Sequence, residues 1–325
     1  MTHHWTENDV PDQSGRVAIV TGGNSGIGWH TARVLAQKGA TVIIACRNMQ
    51  KANTAADEIR AFNPSGKVEV MPLDLSDLDS VREFEALFRE RYDRLDLLIN
   101  NAGIMFTPQG KTKQGFEQQF GTNHLGHFAL TGILLDKLNG TPGARIVTVS
   151  SGAHRMGNID FDDLNSERDY SPYRAYGQSK LANLLFTYEL QRRLIATGQS
   201  TLAVAAHPGS TRTNLTRHSN AFVKLLDRII SQKSDMGALP TLYAATEPNV
   251  QGGEYFGPSG AREMRGYPKK VESNEHSQNE ELARRLWTVS ENLTHVFYPL
   301  NDWKMLQDGK KIRHLDMDDG GSARI

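Results

Sequence analysis

The stretch RVAIVTGGNSGIGWHTARVLAQKG (residues 16–39) decides the fold of this chain. An apolar run rich in β-branched residues leads directly into a glycine-rich turn and then into a helical pattern. Gly22, Gly26 and Gly28 allow a tight turn and a close approach of ligand to backbone. A helix N-terminus offers free N–H groups and a partial positive charge to a phosphate. The order strand, turn and helix predicts a pyrophosphate site in a βαβ unit, with an ordinary strand–helix connection as the alternative.

Similar apolar runs recur through the first two-thirds of the chain, with helical patterns between them. The runs are TVIIACR (41–47), KVEVMPLDL (67–75), LDLLINNAG (95–103), ARIVTVSS (144–151) and TLAVAAHPG (201–209). Near-continuous hydrophobicity is typical of strands buried on both faces of a parallel sheet. Right-handed crossovers then place helices on both faces. We therefore predict an α/β fold, a doubly wound parallel sheet of three layers (a Rossmann fold) in a single domain.

The ends of the chain read differently from its centre. We expect a polar N-terminal extension at 1–14, a single domain at 15–295 and an extended tail of unknown role at 296–325. Helices are expected within 219–246 and over 280–293. Residues 210–235 are expected to form a substrate lid, because FVKLLDRIISQ could close an apolar helix over the cleft.

Composition narrows the classes of function. Lys+Arg and Asp+Glu both total 37 among 325 residues, so no net charge draws the chain to nucleic acid or to an anionic membrane. Cys46 is the single cysteine, which excludes an internal disulfide and suits the cytoplasm. No apolar run approaches the roughly 20 residues of a membrane span. The histidines form neither H-E-x-x-H nor a Cys/His cluster, so we expect no metal site.

The end of the second apolar run bears on the choice of cofactor. Many dinucleotide-binding folds place an acidic residue there for the ribose hydroxyls of NAD. This chain has Cys46 and Arg47 instead. An arginine suits a 2′-phosphate, which favours NADP(H) over NAD(H). The alternative is that Arg47 is simply a solvated residue after a strand, and Cys46 is expected to be a small apolar wall.

The stretch AYGQSK (175–180) sets Tyr176 and Lys180 four residues apart, about one helical turn. Free tyrosine titrates near pH 10, which is too high for a base at neutral pH, and a nearby cation can lower that by about 1–3 units. The spacing therefore predicts a proton-transfer pair. The alternative is a polar helix face on which the two residues have no joint role.

Seven motifs in order resemble the short-chain dehydrogenase/reductase family. They are TGGNSGIG (21–28), LDL (73–75), NNAG (100–103), NHLGHF (123–128), VSS (149–151), YGQSK (176–180) and HPG (207–209). The chain is most similar to the retinol-dehydrogenase-like members of that family. The phrases that carry this closer likeness are NHLGHFALT (123–131), SSGAH (150–154), SKLANLLFTYEL (179–190) and RLWTVSENL (285–293).

The resemblance implies a catalytic role for four residues. Tyr176 would be the acid/base, and Lys180 would lower its pKa and bind the nicotinamide ribose. Ser151 would hydrogen-bond the substrate oxygen. Apart from the resemblance, His154 follows the strand that leads to Ser151, and this position predicts that it lines the substrate cleft. Asn123 would hold a water in a proton path to Lys180.

The same resemblance implies a cofactor site that runs along the cleft. Its residues would be Gly22, Asn24, Ser25, Gly26, Ile27, Gly28, Arg47, Asp74, Leu75, Asn101, Ala102, Gly103, Tyr176, Lys180, Pro208, Gly209, Thr211 and Thr213.

These residues and the resemblance predict an NADP(H)-dependent oxidoreductase that moves a hydride between the nicotinamide and a carbonyl or alcohol. The likeness to retinol-dehydrogenase-like members implies that this substrate is lipophilic. A dinucleotide-sensing protein without turnover is the alternative from another class, but a sensor needs no Ser151–Tyr176–Lys180 set. An extended-family epimerase or dehydratase would spell TGxxGxxG, whereas this chain spells TGxxxGxG. Members of the short-chain dehydrogenase/reductase family often pair through the helices bearing Asn123 and Tyr176, but some remain monomers. The resemblance therefore leaves a homodimer, a homotetramer and a monomer open.

Overall fold

The computed structural model describes residues 4–211 and 232–300, and it contains one eight-stranded sheet. The strand order is β3-β2-β1-β4-β5-β6-β7-β8. The strands are β1 (Val17–Thr21), β2 (Thr41–Cys46), β3 (Lys67–Pro72), β4 (Leu97–Asn100), β5 (Arg145–Val149), β6 (Leu202–Ala206), β7 (Tyr255–Pro258) and β8 (Pro268–Lys270). The six apolar runs of the sequence supply β1 to β6, so the predicted doubly wound sheet is confirmed.

Helices connect the strands. They are α1 (Gly26–Gln37), α2 (Met49–Arg60), α3 (Leu78–Arg91), α4 (Gln118–Phe120), α5 (Gly126–Ile133), α6 (Leu135–Asn139), α7 (Pro172–Ala196), α8 (Ser234–Thr246), α9 (Glu275–Gln278) and α10 (Glu280–Thr294). A π-helical turn, Gly121–Leu125, joins α4 to α5.

The centre of the sheet is where the strand order reverses. Val20 of β1 pairs with Ile44 of β2 on one side and with Ile99 of β4 on the other, both in parallel. All five residues of β1 are buried, which explains its unbroken apolar sequence. In open α/β sheets, ligands bind at the carboxyl ends of the strands beside such a reversal. The fold therefore places its cleft at the carboxyl ends of β1 and β4.

Two apolar layers cover the sheet. Leu35 of α1 and Ile59 of α2 belong to the cluster on one face, which also includes residues of α8. Phe84 of α3, Phe128 of α5 and Phe186 of α7 belong to the cluster on the opposite face. This arrangement is the three-layer architecture expected from the sequence.

The far edge of the sheet differs from the prediction in two strands. β7 pairs in parallel with β6, and β8 runs antiparallel to β7, so the sheet is mostly rather than wholly parallel. Both strands are short and contain proline or glycine, which removes the long apolar run that marks the other strands.

The described parts of both termini pack against the domain. Trp5 and Val10 are buried in the first apolar cluster, although the residues around them are polar. At the other end, Val296, Tyr298 and Leu300 are buried in the second cluster. Residues on the outer side of the boundaries expected at 14 and 295 are therefore packed into the core of the domain.

Helix α10 packs on α7, which carries Tyr176 and Lys180, and on α5, which follows the turn of Asn123. Its Trp287 stacks on Phe186 of α7 with ring centroids 5.9 Å apart, and it meets Phe128 of α5 edge-on at 5.2 Å. Tyr298 completes this aromatic cluster, and its hydroxyl donates to the Phe128 carbonyl at 2.7 Å. The chain thus covers part of α5 and α7 with its own C-terminal segment.

Most of the lid expected at 210–235 lies outside the described residues, as does the helical pattern before residue 232. The helix expected in this region is confirmed in its later part as α8. Within 4–211 and 232–300, no helix is both long and apolar enough to cross a bilayer.

Candidate active site

A large cleft of about 1210 Å³ opens at the carboxyl ends of the central strands. Most residues expected to contact the cofactor line it. They are Gly22, Asn24, Ser25, Gly26, Ile27, Gly28, Arg47, Asn101, Ala102, Gly103, Tyr176, Lys180, Pro208, Gly209 and Thr211. Ser151 lines the same cleft. Thr213 lies outside the described residues.

The glycine turn has the geometry that its sequence predicts. Gly22 and Gly26 have φ angles of +66° and +55°, in the left-handed region that favours glycine. A Cβ on Gly28 would lie 2.4 Å from the Gly22 carbonyl oxygen, so the close approach requires glycine. Ser25, the N-cap of α1, makes no side-chain capping bond in the described structure. Gly26, Ile27 and Gly28, the first residues of α1, line the cleft, and helix N-termini of this kind suit a pyrophosphate.

A buried hydrogen-bond network joins this turn to the NNAG motif. The Thr21 hydroxyl accepts from the backbone N–H of Asn101 and of Ala102, both at 2.9 Å. It also lies 2.9 Å from Nε2 of His127, whose Nδ1 donates to the Asn123 carbonyl at 3.0 Å. Burial lowers the pKa of His127 to about 4, so the ring is neutral and Nε2 accepts from Thr21. His127 thus has the packing and hydrogen-bonding role expected of it.

Two cations line the cleft beside the end of β2. Arg47 follows β2, and Lys51 lies in the first turn of α2. The Arg47 guanidinium is 70% exposed and lies 3.6 Å from the Asp74 carboxylate, so it remains available to a ligand. Cys46 is buried beneath them, and burial raises the pKa of its thiol to about 11. That protonated thiol fits the apolar wall expected from the sequence.

The cleft lining does not include Asp74 and Leu75, so their expected contact with the adenine stays a prediction. Oδ1 of Asp74 accepts from both the N–H and the hydroxyl of Ser76, which turns the carboxylate toward its own loop. Leu75 is buried against α5, where a Cβ on Gly126 would lie 2.3 Å from the Leu75 carbonyl oxygen.

Tyr176 and Lys180 both lie in α7 and are almost completely buried, at 6% and 4% exposure. Burial raises the pKa of Tyr176 to about 12, and the Ser151 side chain acts in the opposite direction. Burial likewise lowers the pKa of Lys180 to about 8. The expected lowering of the Tyr176 pKa by Lys180 is not seen, because burial dominates and the ammonium donates instead to the Val149 carbonyl at 3.0 Å.

Successive serines after β5 point in opposite directions, as alternation along a strand requires. The Ser150 hydroxyl donates to the Lys180 carbonyl at 2.8 Å and is buried against α7. Both serines line the cleft, but the Ser151 side chain is the one that hydrogen-bonds Tyr176, and its hydroxyl also accepts from the Ala153 N–H at 3.2 Å. Ser151 is therefore the serine placed beside Tyr176.

Asn123 lies in the π-helical turn before α5 and is completely buried. Its side-chain amide holds the backbone of Ile104, accepting from the N–H at 2.8 Å and donating to the carbonyl at 2.9 Å. A Cβ on Gly103 would lie 3.2 Å from Asn123 Oδ1 and 3.6 Å from Lys180 Nζ, which places the three residues together. The structure therefore brings Asn123 to the rear of the cleft, next to Lys180.

His154 is not a cleft residue, contrary to the sequence prediction. It is fully buried in the turn Gly152–Met156, where its Nδ1 donates to the Ser151 carbonyl at 2.7 Å. Its ring meets Tyr255 edge-on at 5.8 Å. Burial lowers the pKa of His154 to about 4, which keeps the ring neutral.

Sequence reasoning missed a charged group on the other wall of the cleft. Arg155, His207 and Glu263 all line it, and Glu263 lies in the loop between β7 and β8. His207 belongs to the HPG motif, which is the sequence signal that could have drawn attention to it. No group of three or more potential metal-ligating side chains occurs within 4–211 and 232–300.

Comparison with known proteins places this geometry in context. The family model described as short chain dehydrogenase matches residues 16–224. Retinol dehydrogenase 13 of Homo sapiens is 43% identical over 296 residues, covering 88% of this chain and 86% of its own length. Polyprenol dehydrogenase of Homo sapiens is 42% identical over 303 residues, covering 90% and 89%. The crystal structure of an uncharacterized protein from Mycobacterium paratuberculosis is 45% identical, with a TM-score of 0.78 and coverage of 91% of this chain and 100% of that one.

Proposed function

The chain belongs to the short-chain dehydrogenase family, and from this premise we propose that it is an NADP(H)-dependent oxidoreductase of lipophilic carbonyls or alcohols. The family makes it an oxidoreductase that acts on CH–OH or C=O groups with a nicotinamide cofactor. The proposal adds NADP(H), the lipophilic substrate and Tyr176 as the acid/base. The observation that carries it is the meeting of Tyr176, Lys180 and Ser151 in one cleft.

The nicotinamide, when bound, supplies or accepts the hydride, and the side chains of this chain handle the proton. Reduction of a carbonyl leaves charge on its oxygen, which requires a proton donor and a hydrogen bond. The Tyr176 hydroxyl, protonated because burial raises its pKa to about 12, is the donor in this proposal. Ser151 donates the hydrogen bond. Lys180 would hold the sugar of the nicotinamide and would give the proton path its positive charge, with Asn123 behind it.

The preference for NADP(H) is supported by charge at the adenosine end. Arg47 stands directly after β2, where an NAD-specific fold places a carboxylate, and Lys51 lines the cleft nearby. A planar guanidinium and a flexible ammonium together suit a dianionic 2′-phosphate. We propose that these two side chains hold it.

A lipophilic substrate is supported by two independent observations. The relatives named above as retinol dehydrogenase 13 and polyprenol dehydrogenase carry names of long apolar alcohols. Ile104, Met105 and Met264 supply apolar surface in the same cleft as Tyr176. Unbranched methionine side chains adapt to irregular apolar ligands.

The test is cofactor-linked turnover by purified protein across aldehydes and ketones of increasing chain length. NADPH oxidation by wild type, with the rate rising toward longer apolar substrates, is the expected result. Tyr176→Phe should lose about 10²–10⁴-fold in turnover while it still binds NADPH. Tyr173→Phe is the matched control, because Tyr173 contacts the same Phe106 ring but is 46% exposed.

Two outcomes would contradict the proposal. Turnover that survives in Tyr176→Phe would remove Tyr176 as the acid/base. Tight nucleotide binding without turnover of any substrate would instead support a dinucleotide sensor.

A further inference from the structure

A charged bridge crosses one wall of the cleft between segments that are distant in sequence. The Glu263 carboxylate, in the loop between β7 and β8, lies 3.0 Å from Nε2 of His207. The same carboxylate accepts from the Arg155 guanidinium at 3.2 Å. His207 directly follows β6, whereas Arg155 lies in the turn that begins after Ser151. Glu263 therefore links the segment of the candidate catalytic serine to the HPG motif.

His207 transmits this contact to the turn that follows it. The Gly209 N–H donates to Nδ1 of His207 at 3.2 Å, so Nδ1 is the unprotonated ring nitrogen. Nε2 then carries the proton and donates it to the Glu263 carboxylate. His207 and Arg155 together lower the pKa of Glu263, which is therefore ionised at neutral pH. The carboxylate fixes both the tautomer and the orientation of the ring.

The backbone around Glu263 adds a second connection to the same turn. The Ser210 N–H donates to the Met264 carbonyl at 2.8 Å. Gly209 has a φ angle of +67°, and a Cβ there would lie 2.5 Å from the Met264 carbonyl oxygen. Residues 208–211 are thus held against the loop of Glu263 by main-chain contacts as well as by His207.

The conformation of this loop is itself unusual. Arg262 and Glu263 have φ angles of 52° and 56°, in the left-handed region that residues with a Cβ rarely adopt. Two such residues in succession carry backbone strain, and strain persists where surrounding contacts over-determine the conformation. The bridge from Glu263 to Arg155 and His207 provides such contacts.

We propose that Glu263 is a positioning residue that fixes the Pro208–Thr211 turn against the nicotinamide half of the cofactor, acting through His207. This inference rests on the proposed function, in which that turn faces the nicotinamide. Because Glu263 contacts no reacting atom in this proposal, its loss should disturb the nicotinamide end of the cleft and leave the adenosine end intact.

Binding measurements on Glu263→Ala, Glu263→Gln and wild type test the proposal. The probes are NADPH and adenosine 2′,5′-bisphosphate, or NADH and ADP if wild type prefers NADH. Glu263→Ala should weaken dinucleotide binding about tenfold and leave binding of the adenosine fragment within about twofold. Glu263→Gln should recover most of the loss, because its amide oxygen can still accept from His207. Glu272→Ala is the matched control. Glu272 is an exposed residue that contacts Arg155 through its backbone carbonyl and not through its carboxylate, so the substitution keeps this contact.

Equal weakening of both probes by Glu263→Ala, or no weakening of either, would overturn the inference. Hydrogen exchange of the ligand-free protein tests it without any nucleotide. The amides of Gly209 and Ser210 should exchange about tenfold faster in Glu263→Ala and at the wild-type rate in Glu272→Ala. If wild type binds no dinucleotide, the proposed function fails, and hydrogen exchange then decides separately whether Glu263 positions the turn. Unchanged exchange of Gly209 and Ser210 in Glu263→Ala would overturn that role.

Discussion

Lys180 Nζ lies 5.7 Å from the centre of the Tyr176 ring, one helical turn away on α7, and both side chains are buried. Burial moves the two pKa values apart, raising that of the tyrosine to about 12 and lowering that of the lysine to about 8. Each shift favours the neutral form of its group, since the surroundings solvate charge poorly. The pair is thus held in a state that costs stability, which is common where residues are selected for chemistry.

The first prediction concerns the stability cost of Lys180. Its pKa is about 8 in the folded protein and has an ordinary value of 10.5, so the unfolded chain binds this proton more tightly. The contribution of Lys180 to stability therefore rises as the pH increases from about 8 to 10.5. Lys180→Met should gain stability on the order of a few kcal/mol at about pH 7, with a smaller gain above the folded pKa. The Val149 carbonyl would keep Asn183 as a donor at 3.2 Å.

Urea unfolding of wild type and Lys180→Met below and above this pKa checks the prediction. Lys111→Met is the control, because Lys111 is 59% exposed in an ion pair with Glu167 and should change stability by about 0.5 kcal/mol or less. Turnover of Lys180→Met should fall at least about 10²-fold in the same preparation. A variant less stable than wild type at neutral pH would contradict the account of a buried charge.

The second prediction concerns Arg47 and the choice of nucleotide. Arg47→Ala should weaken NADPH binding about 10–100-fold, the cost of losing a charge-assisted hydrogen bond, and should leave NADH binding nearly unchanged. Arg91→Ala is the control: Arg91 is 54% exposed and lies 3.7 Å from Glu69, much like Arg47 and Asp74 at 3.6 Å. Calorimetry with both nucleotides gives the ratio of the NADPH and NADH dissociation constants for each variant. An unaltered ratio would mean that Arg47 is only a solvated residue after β2.

The sheet and the glycine turn were predictable because their signals are local. Six apolar runs mark the buried parallel strands, and the spacing of Gly22, Gly26 and Gly28 marks the turn. Tyr176 and Lys180 share a helix face because they are four residues apart. In each case residues close together in sequence determine the local structure.

The charged bridge at Glu263 was not predictable by such reasoning. Glu263 is 108 residues from Arg155 and 56 from His207, so only the folded sheet edge brings them together. His154 shows the opposite error: it was predicted to line the cleft because it lies close to Ser151 in sequence. The short turn after Ser151 instead directs its ring into the protein, against Tyr255.

The direction of the Tyr176 pKa shift was also beyond the sequence. Spacing shows that a lysine lies nearby, but it does not show how deeply both groups are buried. In the structure the burial of Tyr176 outweighs any effect of Lys180, whose ammonium donates to Val149. The sign of a pKa shift depends on solvation that only the fold determines.

The third prediction concerns self-association. Because α10 and Tyr298 already cover part of α5 and α7, we expect that copies of this chain do not pair through those two helices. Hydrogen exchange of α5 and α7 should be independent of protein concentration, and sedimentation on the same samples gives the oligomeric state. Protection of α5 or α7 that increases together with mass would show that pairing through these helices occurs.

The fourth prediction concerns the segment after α10, where burial alternates residue by residue. Val296, Tyr298 and Leu300 are buried, whereas Phe297 is 61% exposed. The Tyr298 ring packs against Trp287 at 4.5 Å, and its hydroxyl satisfies the Phe128 carbonyl. Tyr298→Ala should therefore destabilise the protein by about 3–5 kcal/mol, because it leaves a cavity and an unpaired carbonyl.

Phe297→Ala is the matched control for Tyr298→Ala, since it removes a ring of similar size one position earlier from the exposed side. It should change the free energy of unfolding by about 0.5 kcal/mol or less. Urea unfolding of both variants gives the comparison. Equal losses of stability in the two variants would mean that the segment stabilises the protein through the apolar surface it buries as a whole and not through the contacts of Tyr298. A large loss confined to Tyr298→Ala would place this residue in the core that supports α5, and with it the position of Asn123.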